Sequence, residues 1–169
     1  MAISMHSASV PIFVRMLTNM LTWLDKAEAH AQAKKFDSNN YLGLRLSPDM
    51  LPFSAQIQIA SDSVKACVAR LAGLEAPKWE DKEASLKELR ARVTKTIEYA
   101  QSVPAAKIDG SDGRQVLVPM GPGRTVPMSG ELFLKHFSLP NFFFHCTMTY
   151  ALLRQAGVEL GKMDYLGGV

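Results

Sequence analysis

The chain has 169 residues, 47% of them hydrophobic and 21% charged, with a formal net charge of +3. That composition suits one globular domain over residues 1–169, large enough for a substantial core. The basic excess is small and unclustered, which argues against nucleic acid as a partner, and no apolar run reaches membrane-spanning length.

Cys67 and Cys146 are isolated in sequence, so they read as reduced, buried thiols of a cytoplasmic protein and not as a disulfide framework. The N-terminus has no basic segment followed by a continuous apolar stretch, and a secretory signal is not expected.

Ser7 to Lys35 reads as the first helix. Pro11 is tolerated in its first turn, and Phe13, Met16, Leu17, Met20, Leu24, Ala27 and Ala31 recur at helical spacing. The polar run from Asp37 to Asn40 ends it. His6 and His30, near its two ends, read as solvated groups. Tyr41 to Leu46 is expected to form a helical turn. A second helix is expected from Pro52 to Ala72, closed by Gly73, with Phe53, Ile57, Ala60, Val64, Cys67, Val68 and Leu71 facing inward. Gln56 lies about 60° of helical rotation from Phe53 and reads as a buried amide, whereas Gln58, Asp62 and Lys65 fall off the stripe. Gln58 is expected in solvent.

A third helix is expected from Lys82 to Gln101, capped by Asp81, with Leu86, Leu89, Val93, Ile97 and Ala100 inward. Its charges, among them Glu83, Glu88, Arg90, Arg92 and Lys95, read as a solvated face of intrahelical pairs. From Asp109 to Met128 the pattern changes to a β-hairpin, with Gln115–Val118 and Thr125–Pro127 flanking a glycine-rich turn. No Lys-Ser/Thr pair and no helix N-terminus follow that turn, so a phosphate loop is not expected.

Ser129 to Gly157 reads as a fourth helix with Pro140 inside it, which should kink it or restart it near Asn141. Leu134, Ser138, Asn141, Thr149, Leu152 and Ala156 fall within about 40° of His145, an apolar stripe with an Asn and a His at its centre. Gln56, Asn141 and His145 are therefore expected to converge as a polar spot in the core, lining a pocket for a small-molecule ligand. His145 could take a divalent metal such as zinc or nickel, but neutral amides are poor ligands for either, and the donor set favours no cofactor. A buried, hydrogen-bonded His145 and a metal-free general base are the competing readings. No residue is singled out as catalytic. His136 falls on the opposite face from His145, and Cys146 points away from it. Phe143 and Tyr150 share the outward face and call for cover by the hairpin or by a second subunit, a homodimer. Tyr165 and Leu166 are expected to pack the tail back across the bundle.

Three segments carry a resemblance: SMHSASVPIFVRML, PDMLPFSAQIQIASD, and HFSLPNFFFHCTMTYALLRQAGVELGKMDYLG. They resemble a bacterial domain-of-unknown-function family grouped with the DinB/YfiT-like metalloenzymes. The resemblance implies an all-α fold, a four-helix bundle of up-down-down-up topology with a long crossover and, here, a small β-hairpin before the last helix. It also implies frequent dimers, and a superfamily that includes metal-dependent transferases using small thiols. The usual site there is one His on the second helix and a His-x-x-x-His pair on the fourth. By that resemblance His145 matches the last ligand, Asn141 stands at the first position of the pair, and Gln56 is nearest to the lost helix-two His. Two functional classes follow. One is a transferase- or hydrolase-type enzyme with a degenerate metal site. The other is a non-catalytic small-ligand-binding or homodimeric structural bundle.

Overall fold

A computed structural model describes residues 3–168. Four long helices form the bundle: α1 (Val10–Lys34), α2 (Phe53–Ala72), α3 (Leu86–Ser102) and α6 (Leu139–Gln155). Between them lie a 3-10 segment (Ser38–Gly43), a short α4 (Ala105–Ile108), strands β1 (Gln115–Pro119) and β2 (Thr125–Ser129), a short α5 (Gly130–Phe133) and a π-helical turn (Leu134–Ser138). A last short helix, α7 (Lys162–Leu166), follows α6.

Side-chain pairings give the helix directions. Asn39, just past the end of α1, accepts from the Leu86 amide at the start of α3 at 3.0 Å, so α1 and α3 are antiparallel. Gln58 meets Glu83 and Asp62 meets Arg92, so α2 and α3 run parallel. Phe13 packs on Phe142 and Trp23 on Tyr150, so α1 and α6 are parallel. The topology is up-down-down-up, as expected. Parallel α2 and α3 require a crossover, and residues 73–85 run back along the bundle to supply it. A 20-residue helix spans about 30 Å, within reach of about a dozen extended residues.

The core contains the expected apolar stripes. Phe13, Leu17, Met20, Trp23, Phe53, Ile57, Leu71, Leu89 and Phe142 are completely or almost completely withdrawn from solvent. Each such side chain contributes about 1.5–3 kcal/mol of burial. Gly73 caps α2 in the left-handed conformation at φ 68°, closing onto Ala69 and Arg70 carbonyls. The hairpin pairs Gln115 with Ser129 through Pro119 with Thr125, and glycines 121 and 123 take the positive φ its turn needs. It lies at the C-terminal end of α2, where Arg70 donates to the Leu117 carbonyl at 3.2 Å.

Several expectations are corrected. α3 begins at Leu86, not Lys82, and its cap is Ser85, whose hydroxyl accepts from the Glu88 amide; Asp81 pairs with Arg92 instead. The turn after α1 is a 3-10 segment beginning at Ser38, with Asp37 accepting from the Asn39 amide. Pro140 does not break the fourth helix. The chain continues through α5, a π turn and α6, with the Leu139 amide donating to the Leu134 carbonyl five residues back. The wide turn relieves the crowding that the proline ring would impose on the preceding carbonyls. Tyr150 is not covered by the hairpin. It packs edge-on against Trp23 and Tyr165, so the tail and α1 of the same chain provide the cover. Phe143 packs against Phe142, and the exposed aromatic of this helix is Phe144. Tyr165 does stack on Trp23, at 5.5 Å between ring centroids, but Leu166 is exposed.

Candidate functional site

α2 and α6 are antiparallel neighbours, and the polar residues of their facing stripes meet in register. Gln56, in the first turn of α2, donates from Nε2 to the Leu51 carbonyl at 2.9 Å. Its Oε1 therefore faces the imidazole of His145, 2.8 Å from Nδ1. With an amide oxygen as partner, Nδ1 carries the proton and donates. Nε2 is left as the bare, accepting nitrogen, with no hydrogen bond to any of the described residues. His145 also anchors its own helix, its carbonyl accepting from Thr149 Oγ1 at 2.9 Å.

Asn141 lies one turn before His145 but does not join it. Its Nδ2 donates at 2.7 Å to Ser63 Oγ, which in turn donates to the Ile59 carbonyl. Further along the same seam sit Ser138 on α6's approach and Cys67 on α2, both buried. The expected convergence of three residues is thus a Gln56–His145 pair with a separate Ser63–Asn141 pair one turn along.

His145 is buried, and desolvation holds its pKa below the ordinary histidine value. The ring is neutral at physiological pH. Burial also pushes the Cys67 thiol up to about 12 and raises that of Cys146, so neither is an activated nucleophile. His136 is exposed on the other face of the helix. His30, expected in solvent, is half-buried with Nδ1 2.7 Å from the Tyr41 hydroxyl.

The superfamily's metal would need further donors converging on His145. Among the described residues, no group of three or more His, Cys, Asp or Glu side chains is placed to hold an ion. Asn141 and Gln56, which the resemblance sets at the other ligand positions, are neutral amides, each already hydrogen-bonded, to Ser63 and to His145. A single open imidazole nitrogen does not fit a transition-metal site.

Two participants were missed by the sequence reading. Ser63 is seven residues after Gln56, two helical turns along the same face, and that spacing was a usable signal. Arg92, expected in solvent, has a side chain 2% exposed, ion-paired to Asp62, Asp81 and Glu83 and bonded to the Glu80 carbonyl. It lies about 60° from Leu89, as close to its stripe as Gln56 is to its own. The charge face of α3 therefore pairs outside its own helix, and Arg90 likewise pairs with Asp25 of α1. Gln58, expected in solvent, donates to Glu83 at 2.8 Å.

No helix among the described residues is long and apolar enough to cross a membrane. No curated protein matches the chain. Among solved structures, one described as a DinB family member protein from Shewanella denitrificans is similar. It shares 38% identity over 97% of this chain and 92% of its own, with a TM-score of 0.89. The family described as "Domain of unknown function (DUF1993)" matches residues 5–166. The chain belongs to that family, and its fold is the DinB-like helical bundle with a small hairpin before the last long helix.

Proposed function

We propose that this protein is a metal-independent member of the DinB-like bundles, in which neutral His145 presents Nε2 to a small molecule as a proton or hydrogen-bond acceptor. The observation that supports this is the Gln56 amide, fixed on one side by the Leu51 carbonyl and holding the Nδ1 proton on the other. A ring held in this way keeps its tautomer and orientation, which a general base requires. Burial keeps the ring unprotonated near neutral pH, so the acceptor is present without a metal to lower the pKa of a ligand or water. The ligand class that fits is a molecule with one acidic O–H, N–H or S–H, in a transferase- or hydrolase-type reaction or in binding alone.

The structural reading has its own support. His145 is 8% exposed, and its pair with Gln56 ties the loop before α2 to α6. The two separate in one experiment. Protein purified without chelator or affinity tag is analysed for metals and then screened against small O–H, N–H and S–H donors while the His145 imidazole is followed by NMR. Substoichiometric zinc and nickel, with donors that perturb Nε2, support the acceptor role. Near-stoichiometric metal that disappears in His145→Ala contradicts it. Metal-free protein with no donor response leaves the structural reading.

A further inference from the structure

On the far side of α2 from His145, the crossover strap and α3 enclose an open cleft of about 480 Å³. Trp79 of the strap forms its ridge, with a second cleft of about 400 Å³ beyond it, next to Tyr99. The indole carries two ammonium groups over its ring, Lys65 Nζ at 4.7 Å and Lys95 Nζ at 4.6 Å from the centroid. Lys65 is buried and paired with Asp62. Lys95 is exposed and has no carboxylate partner among the described residues.

Three of the carboxylates lining these clefts are already engaged, while Glu98, exposed in the second cleft, has no partner among the described residues. Glu83 accepts from Arg92 and Gln58, Glu80 pairs with Lys82, and Glu88 accepts from the Ala84 amide. On the other side of the account, Arg92 Nε and the Tyr99 hydroxyl are buried with no hydrogen-bond partner among the described residues. Lys95 has only the π face of Trp79, and Lys78 only a loose contact with Glu75 at 4.0 Å. A buried donor without an acceptor is costly to the fold, and an acceptor that enters the cleft removes that cost.

We infer that the Trp79 ridge is a binding site for a small, flat aromatic carboxylate. The aromatic body lies against the indole, where Trp and Tyr supply area at small conformational cost. The carboxylate takes Lys95 off the ring and pairs with it, since a charged acceptor replaces a weaker cation–π contact. The Arg92 Nε–H then has an acceptor on the ligand within the cleft it lines. The inference stands apart from the His145 site and does not depend on it.

The test is a titration of the full chain with 2-naphthoate, followed through the indole N–H signals of the two tryptophans, with Trp79→Phe assigning them. The Trp79 signal should shift saturably with a Kd below about 1 mM, while that of Trp23, which is inside the core, stays in place. Lys95→Gln, an exposed substitution that the fold tolerates, should weaken binding at least about tenfold, as should replacing the acid with neutral 2-naphthylmethanol. Inorganic phosphate alone should leave the signal unmoved. No saturable shift, equal affinity for the neutral analogue, an unchanged Kd in Lys95→Gln, or an equal response to phosphate would each overturn the inference.

Discussion

Replacing Gln56 with leucine keeps the volume and removes the acceptor of the Nδ1 proton of His145. The stranded buried donor should cost about 1–3 kcal/mol, read as a lower urea midpoint at unchanged slope. Asn141→Ala removes a hydrogen bond from a half-buried place and should cost less, about 0.5–1.5 kcal/mol. The two losses should be nearly additive, because the Ser63–Asn141 pair shares no partner with Gln56 and His145. The pH dependence has a defined sign. Burial lowers the pKa of His145, so the unfolded chain binds that proton more readily than the fold does. Its contribution is fully present above the unfolded value of about 6.5 and is lost as pH falls below it. Thermal melting across that range should show a steeper acid-side fall in wild type than in His145→Gln. At this scale the sequence told part of the story. The stripe period placed His145 and Gln56 inside, because helical rotation alone decides that. It could not say that the amide oxygen of Gln56 turns to His145 while Asn141 turns to Ser63. Those choices depend on the register between two helices far apart in sequence.

The crossover strap illustrates how one side chain can hold a segment that has no secondary structure of its own. Arg92 reaches from α3 to Asp81, Glu83 and the Glu80 carbonyl on the strap, and to Asp62 on α2. Removing it in Arg92→Ala leaves Glu83 half-buried without its cation. The cost should be about 3 kcal/mol, the low end for a broken buried ion pair, because Asp62 and Asp81 are solvated and regain water. The strap should loosen before the bundle does. Limited trypsin digestion should then cut at Lys78 or Lys82 under conditions in which the wild type is intact. The strap was legible only as a connection. Its anchoring was hidden because charges spaced along α3 look like intrahelical pairs when the neighbouring helix is unknown. The π turn before Pro140 is likewise out of reach of sequence: the proline announces a disturbance, but a kink, a restart and a widened turn all relieve its ring.

At the scale of the whole molecule, the four stripes and the polar breaks between them were enough to give the bundle, since burying one face of each long helix leaves few alternatives. The sequence shows that the tail packs back across the bundle but not that Tyr165 docks on Trp23 and Tyr150, because nothing in a short tail specifies its docking point. The tail is held through its backbone: Trp23 Nε1 donates to the Asp164 carbonyl at 2.8 Å and Asn19 Nδ2 to that of Tyr165 at 2.9 Å. Lys26 adds an ion pair to Asp164 at 2.6 Å. Truncation after Leu160 should therefore open Trp23 to water, shifting its fluorescence to longer wavelength in a Trp79→Phe background, without unfolding the bundle seen by circular dichroism.

The proposed role of His145 turns on one proton. Its most direct test is a long-range proton–nitrogen NMR spectrum of the His145 imidazole at about pH 8, well above the ordinary histidine pKa. The prediction is a protonated Nδ1 and a bare Nε2, with the tautomer losing its definition in Gln56→Leu and the nitrogen shifts unmoved by one equivalent of zinc. A proton found on Nε2, or an Nε2 that zinc captures stoichiometrically, would contradict it.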